Sequence, residues 1–398
     1  MTISLAGGAS TQSRGRRPLP PGVVSARTID TVGAHENVKF TYADGGEVYS
    51  ELLTWVVGQA GLLFGGTDQF ELVDNIPGSY GHVAENELTG LLGKVFYDRL
   101  STPDLSVRFF LNGGDACSAA ARLARAATGR NAIASYGYHG AGDSFAHDPA
   151  SLGVPRAIVD LHWRFDWGDV AAVRRLAQVS AAIVVEVPPV DDDDARTFLA
   201  ECRRACDDGG ALLIVDDVVL GFRVALAGSA ERYGVKPDIV LLGKAMSALG
   251  CVSAVLGRAD VVGRLGTDVF YSTTFGGHPT LCWNASDTIA YLIEYREHIY
   301  GRNDIPGHLR RIGQALMDGM AEVGVPVIGQ PERSVFKFAT DADWLRFSSL
   351  MIAEGVMVHR PNFPTLAHTM QDVERTVTAA RRVLAIMAGQ GEPGTIKL

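Results

Sequence analysis

Between residues 106 and 258 the chain alternates two apolar patterns. The stretches "VRFFL", "AIASY", "AAIVVEV", "ALLIVD" and "DIVLLG" are short, continuous apolar runs, which predict strands covered on both faces by other elements. Between them apolar residues recur at helical spacing: Ala116, Ala120, Leu123 and Ala127 on one face of a first helix, Ala195, Leu199, Cys202 and Cys206 on one face of another. Repeated strand then helix predicts a doubly wound α/β domain with a mainly parallel sheet. In such a sheet the ligand lies outside the carboxyl ends of the strands.

The pattern changes after about residue 305. "VPVIGQ" and "SVFKFAT" predict strands of a smaller α+β unit, followed by "AEGVMVHR" and a last helix. That helix opens with Thr369 as cap and Asp372 three residues on, and carries Val373, Val377, Ala380, Leu384 and Met387 on one stripe. Residues 36–52 read as a hairpin joining the same small unit from the other end of the chain. The expected organisation is an N-terminal arm over 1–33, mobile or loosely packed, a small α+β domain over 34–60 and 300–398, and a large domain over 61–299.

Composition narrows the function. The 398 residues carry a formal charge of −9, leaving no basic field for nucleic acid or anionic lipid, so a small-molecule substrate is expected. No run of 18 apolar residues occurs and the first residues lack an apolar signal core, so a cytoplasmic protein without a membrane span is expected. Five cysteines, an odd number in mostly apolar or helical surroundings, predict buried free thiols. Cys202 and Cys206 have a spacing that suits a metal, but no second Cys or His pair stands near, so core packing is expected and no metal site.

Five stretches carry chemistry. In "LNGGDACSAAARLARAATGR" a strand stops at Gly113-Gly114 and a helix begins at once, so open backbone N–H groups and a helix N-terminus make an anion cradle. In "SYGYHGAGDSF" Tyr138 and His139 follow a strand in a glycine-rich loop, where an aromatic face stacks on a flat ring or simply packs. Asp216 ends the strand "ALLIV", where a buried charge requires a cation, either a protonated ring nitrogen or Arg223. Lys244 follows "DIVLLG" in a segment otherwise empty of charge, so a desolvated, nucleophilic amine is expected. Ala245 and the missing upstream glycine exclude a nucleotide-binding Walker A loop. In "YSTTFGGHPTLCWNA" two threonines and two glycines precede a helix, the composition of a second anion-contacting loop.

In this order the five stretches resemble the class III aminotransferases, pyridoxal 5′-phosphate (PLP) enzymes of the aspartate-aminotransferase-like fold (fold type I), and within them the glutamate-1-semialdehyde aminomutase-like branch. The resemblance spans roughly residues 38–388. It implies that Lys244 holds PLP as a Schiff base, Asp216 pairs with the pyridinium nitrogen, and Gly113 and Gly114 bind the phosphate, with Asn112 beside them. It further implies that Tyr138 stacks on the ring with His139 alongside, that Glu186 lies near the cofactor, and that Thr274 reaches the phosphate of a neighbouring subunit's cofactor. The implied working unit is a homodimer that moves an amino group from a small-molecule amino donor to a carbonyl acceptor, with the cofactor cycling between PLP and its pyridoxamine form.

The sequence also departs from the family pattern. Gly114 stands where Ser or Thr is usual, Asp217 where Glu follows the pyridine Asp, His278 where Asn precedes the proline, and "MSALGC" lacks the usual glycine-rich run. Three alternatives stay open at this level: an aminomutase, epimerase or other PLP isomerase; a non-catalytic PLP-fold scaffold; and a nucleotide-dependent enzyme, which "LNGGDA" fails to support for want of a fingerprint. A substrate carboxylate would call for an arginine, for which Arg223 and Arg360 are the candidates.

Overall fold

The computed structural model describes residues 19–32, 34–55, 81–147, 152–248, 250–294 and 305–389, so residues 1–18 of the expected arm lie outside it. The chain divides into two units, 1–56 with 312–398, and 57–311. Strand β1 (Val23–Val32) pairs antiparallel with β2 (His35–Tyr42), which turns into β3 (Glu47–Thr54), as the hairpin pattern predicts. Residues 23–32, read from sequence as part of the arm, are therefore a strand. β1 is an edge of its sheet with Val24 and Ile29 exposed, so no burial alternation marks it in the sequence; backbone pairing to β2 holds it.

The unit 57–311 contains α1 (Gly81–Leu100), β4 (Leu105–Phe110), α2 (Gly113–Thr128), β5 (Ile133–Tyr136), β6 (His162–Arg164), α3 (Val170–Ala177), β7 (Ala182–Val185) and α4 (Asp192–Gly209). It continues with β8 (Leu212–Asp216), α5 (Gly228–Tyr233), β9 (Ile239–Leu242), β10 (Ser253–Arg258) and α6 (Pro279–Glu294). Seven strands form one sheet in the order β4-β10-β9-β8-β7-β5-β6. The pairs β5/β6, β5/β7, β7/β8 and β8/β9 are parallel, whereas β10 runs antiparallel to both neighbours. Among its described residues the connection 243–252 from β9 contains no α-helix to carry a parallel crossover, and the chain returns in the opposite sense.

Alternate residues of the central strands enter two different cores. Ala182, Val184, Leu212 and Ile214 pack with the apolar face of α2, including Ala116, Ala120 and Leu123. Ile183, Val185, Leu213 and Val215 pack with α3 and α4 through Val173, Phe198, Leu199 and Cys202. Both faces are apolar, which is why these strands read as continuous runs. Ala127, placed on the buried face by its spacing, is exposed. Cys117, Cys202, Cys206 and Cys282 are buried free thiols and Cys251 is exposed. Burial pushes the Cys206 thiol up to about 12, as expected of a packed core group.

The other unit is completed by the part of α7 (Ile305–Glu322) from residue 312 onward, the hairpin β11 (Val327–Gln330) and β12 (Arg333–Phe336), α8 (Asp341–Ala353), β13 (Val356–Met357) and α9 (Met370–Met387). β13 joins β3 in parallel, so the two ends of the chain share one sheet. α9 begins with the expected capping box, Thr369 accepting from the Asp372 N–H while Asp372 accepts from the Thr369 N–H. No helix among the described residues is long and apolar enough to cross a membrane.

Candidate active site

Parallel pairing of β8 with β9 sets Asp216 beside Leu241, so Lys244, three residues further on, emerges at the same carboxyl edge of the sheet. Both bear on the Cys117 thiol, as does Glu186 at the end of β7. Lys244 has a φ of 45°, a left-handed conformation that costs a non-glycine residue about 1 kcal/mol or more and concentrates at functional positions. Its side chain is exposed rather than desolvated, contrary to the sequence expectation, because it stands on a loop beyond the strand end instead of inside the sheet.

Asp216 is buried and held from three directions. His139 Nδ1 lies 2.7 Å from Oδ2, the Cys117 thiol donates to the same oxygen at 3.6 Å, and the Val218 N–H donates to Oδ1 at 3.2 Å. His139 Nε2 meets the Tyr136 carbonyl oxygen at 3.1 Å. A carboxylate oxygen accepts, so His139 Nδ1 is the donor in the short contact with Oδ2. Arg223 is not the partner of Asp216: it is 1% exposed, and its Nε donates to the Val219 carbonyl.

The neighbouring acid Asp217 is wholly buried and points elsewhere. It accepts the Ser229 N–H at 2.7 Å and the Ser229 hydroxyl at 2.5 Å, tying the end of β8 to the start of α5. Burial pushes its carboxyl up to about 7 against the pull of those bonds, and the charge of Asp216 adds to the rise.

The glycine turn opens α2. Asn112 is the N-cap, its Oδ1 accepting the Asp115 N–H at 3.0 Å. The first N–H groups of the helix, at Gly113 and Gly114, have no intrahelical acceptor by construction, which makes the turn an anion cradle. The aromatic loop closes over it: a Cβ at Gly140 (φ 83°) would stand 2.7 Å from the Gly114 Cα, so only glycine permits this approach. Tyr138 lies on that loop, 74% exposed, and its N–H donates to Glu186 Oε2 at 2.9 Å. Glu186 thus fixes the backbone that carries the Tyr138 ring. Thr274 is exposed on the loop before α6, and that loop passes β4, where a Cβ at Gly276 would meet the Phe109 carbonyl at 2.8 Å.

The structure therefore brings Lys244, Asp216, His139, Glu186 and the cradle of Asn112, Gly113 and Gly114 to one end of one sheet. Arg360 lies in the other unit, its guanidinium 4.8 Å from the Trp344 ring centroid and paired with Asp341 at 3.0 Å. The sequence reading missed Cys117 as a partner of Asp216. Its signal was its place four residues after Gly113, one turn into the helix that faces the strand ends.

Solved structures share this architecture over nearly the whole chain. A structure described as a transaminase with PLP bound superposes with a TM-score of 0.72 at 18% identity, covering 97% of this chain and 96% of its own. An omega-transaminase from Sphaerobacter thermophilus gives 0.72 at 21% identity, with 97% and 95% coverage. A beta-phenylalanine aminotransferase from Variovorax paradoxus gives 0.70 at 19% identity, with 98% and 93% coverage. The fold is that of the PLP-dependent transaminases, fold type I. Within it, residues 174–324, which include Glu186, Asp216, Lys244 and Thr274, match the sequence model of the aminotransferase class-III family.

Proposed function

We propose that the protein is a PLP-dependent aminotransferase that moves an amino group between a small-molecule amino donor and a carbonyl acceptor, with Lys244 and Asp216 at the centre of its chemistry. The observation that carries this reading is the convergence, at the carboxyl ends of β8 and β9, of an exposed lysine with a buried, hydrogen-bonded aspartate beside a helix N-terminus. These residues fit the cofactor. The open N–H groups of Gly113 and Gly114 suit its phosphate, Asp216 Oδ1 keeps a lone pair for its ring nitrogen, and Lys244 supplies the amine that anchors it.

When bound, the cofactor supplies a protonated ring that draws electrons from the bond broken at the substrate's α-carbon. Asp216 keeps the proton on the ring nitrogen. His139 and Cys117 hold Oδ2 from behind, which leaves Oδ1 towards the site. Glu186 sets the Tyr138 backbone so that the ring can stack, and Lys244 Nζ takes and returns a proton at the substrate's α-carbon. Thr274, exposed on its loop, is the residue we assign to the phosphate across a homodimer interface.

The test is the visible spectrum of the protein reconstituted with PLP, recorded before and after single amino donors. A yellow band that bleaches to the pyridoxamine form with one donor is expected, and the band is absent from Lys244→Ala. A band that survives every donor but accompanies isomerised product would favour the aminomutase reading suggested by the likeness of "LLIVDDVVLGFR" to that branch. No band in the wild type would end the enzyme assignment. Light scattering should find a dimer, and a monomeric active species would remove Thr274 from the site.

A further inference from the structure

We infer that Cys117 is a positioning residue for the reaction: its thiol, donating to Asp216 Oδ2, fixes which oxygen faces the cofactor and keeps the proton on the ring side of that contact. The inference rests on the cofactor reading above. Oδ2 takes two donors, His139 Nδ1 at 2.7 Å and the Cys117 thiol at 3.6 Å, whereas Oδ1 takes the Val218 N–H alone. An oxygen with two lone pairs and two donors is full, so Oδ1 is the one able to meet a further N–H. Cys117 reaches Oδ2 from α2, the helix whose first turn is the phosphate cradle, so one helix addresses both ends of the cofactor.

The thiol is a donor here and not a thiolate. Burial, with the charges of Asp216 and Glu186, raises it well above the ordinary thiol range, while Lys244 pulls weakly the other way. The charged and titratable groups around it are therefore Asp216, Glu186 and Lys244, with His139 bonded to the same carboxylate oxygen. A hydrogen bond to a carboxylate lowers the affinity of that carboxylate for a proton. Without the thiol, the proton between Asp216 and the ring shifts towards Asp216, the ring loses positive charge, and the Lys244 nitrogen conjugated to it becomes more basic.

The experiment compares wild type, Cys117→Ala, Cys117→Val and Cys117→Ser, each reconstituted with PLP, by the pH midpoint of the visible absorption change. Cys117→Ala should move the midpoint up by about half a pH unit or more, roughly a threefold change in the proton equilibrium. Cys117→Val, which fills the space without a donor, should follow it, and serves if the Ala variant fails to fold. Cys117→Ser restores a donor and should return the midpoint to within about 0.2 of wild type. Thermal midpoints, which respond to packing, should not follow this order. Equal shifts in Ala and Ser, or no shift in Ala and Val, would overturn the inference. A wild type that forms no visible band, or in which borohydride fixes the cofactor to a residue other than Lys244, would mean instead that the cofactor reading has failed and this inference with it.

Discussion

Gly114 leaves the phosphate turn without a hydroxyl, yet the backbone there would accept one. A Cβ at Gly114 would meet only Asn112 Oδ1 at 3.2 Å, with its other neighbours at 3.8 Å, so the amide end of Asn112 need give only a few tenths of an ångström. Gly114→Ser should therefore fold and add one donor to an anion, worth on the order of 1 kcal/mol, which tightens PLP binding by roughly fivefold. Titration of the apoprotein with PLP measures this directly, and unchanged or weaker binding would show that Asn112 already fills the role. Cys117 teaches the complementary lesson. As a single letter in a helix of alanines it reads as packing, and only its contact with Asp216 gives it a part in the site.

At the scale of elements, the site depends on how closely a loop can approach a helix start. The glycine-rich run 137–142 reads from sequence as a turn, but its partner in space is Gly114, some twenty-six residues earlier in the chain. Gly140→Ala places a methyl 2.7 Å from the Gly114 Cα at a φ of 83°, so both sterics and backbone strain oppose it. We expect a loss of about 1–3 kcal/mol of stability. PLP affinity should fall further than in an exposed-loop control such as Gly153→Ala, which meets nothing within 4 Å. Equal behaviour of the two variants in the PLP titration would show that the approach of the loop is incidental to the cradle. The strands and helices themselves were readable because each has one dominant environment: both faces buried for β7, β8 and β9, one face for α2 and α4. β1 was not, since an edge strand with exposed side chains has backbone pairing as its main support.

At the scale of the whole molecule, three buried groups contribute to the response to acid. Burial lowers His162 and His368 to about 4 from 6.5, and raises Asp217 to about 7 from 3.8. Between pH 4 and 6.5 the unfolded chain binds two more protons at the histidines and one fewer at Asp217, a net uptake of one. Stability from these groups thus rises with pH across that window, by about 1.4 kcal/mol per pH unit, and is lost as pH falls towards 4. Asp217→Asn removes the opposing contribution and should roughly double the slope. Denaturant midpoints of the two proteins between pH 4.5 and 6.5 test this; parallel curves would mean that Asp217 is ionised in the folded state.

The sequence by itself determined the layered α/β architecture, the places where strands end, and the residue types at those ends, because burial on one or both faces imprints a period that needs no distant partner. It also carried the order of Gly-Gly turn, aromatic loop, Asp216, Lys244 and Thr274, from which the family resemblance follows. Tertiary structure alone decided who holds whom. Asp216 is met by His139 and Cys117 rather than Arg223, Asp217 turns away to Ser229, Glu186 grips the Tyr138 backbone, and Lys244 stands exposed in a left-handed conformation. These are pairings across 12 to 99 residues of chain, set by strand order and register, and a one-dimensional pattern does not encode which of several polar neighbours arrives within hydrogen-bonding distance.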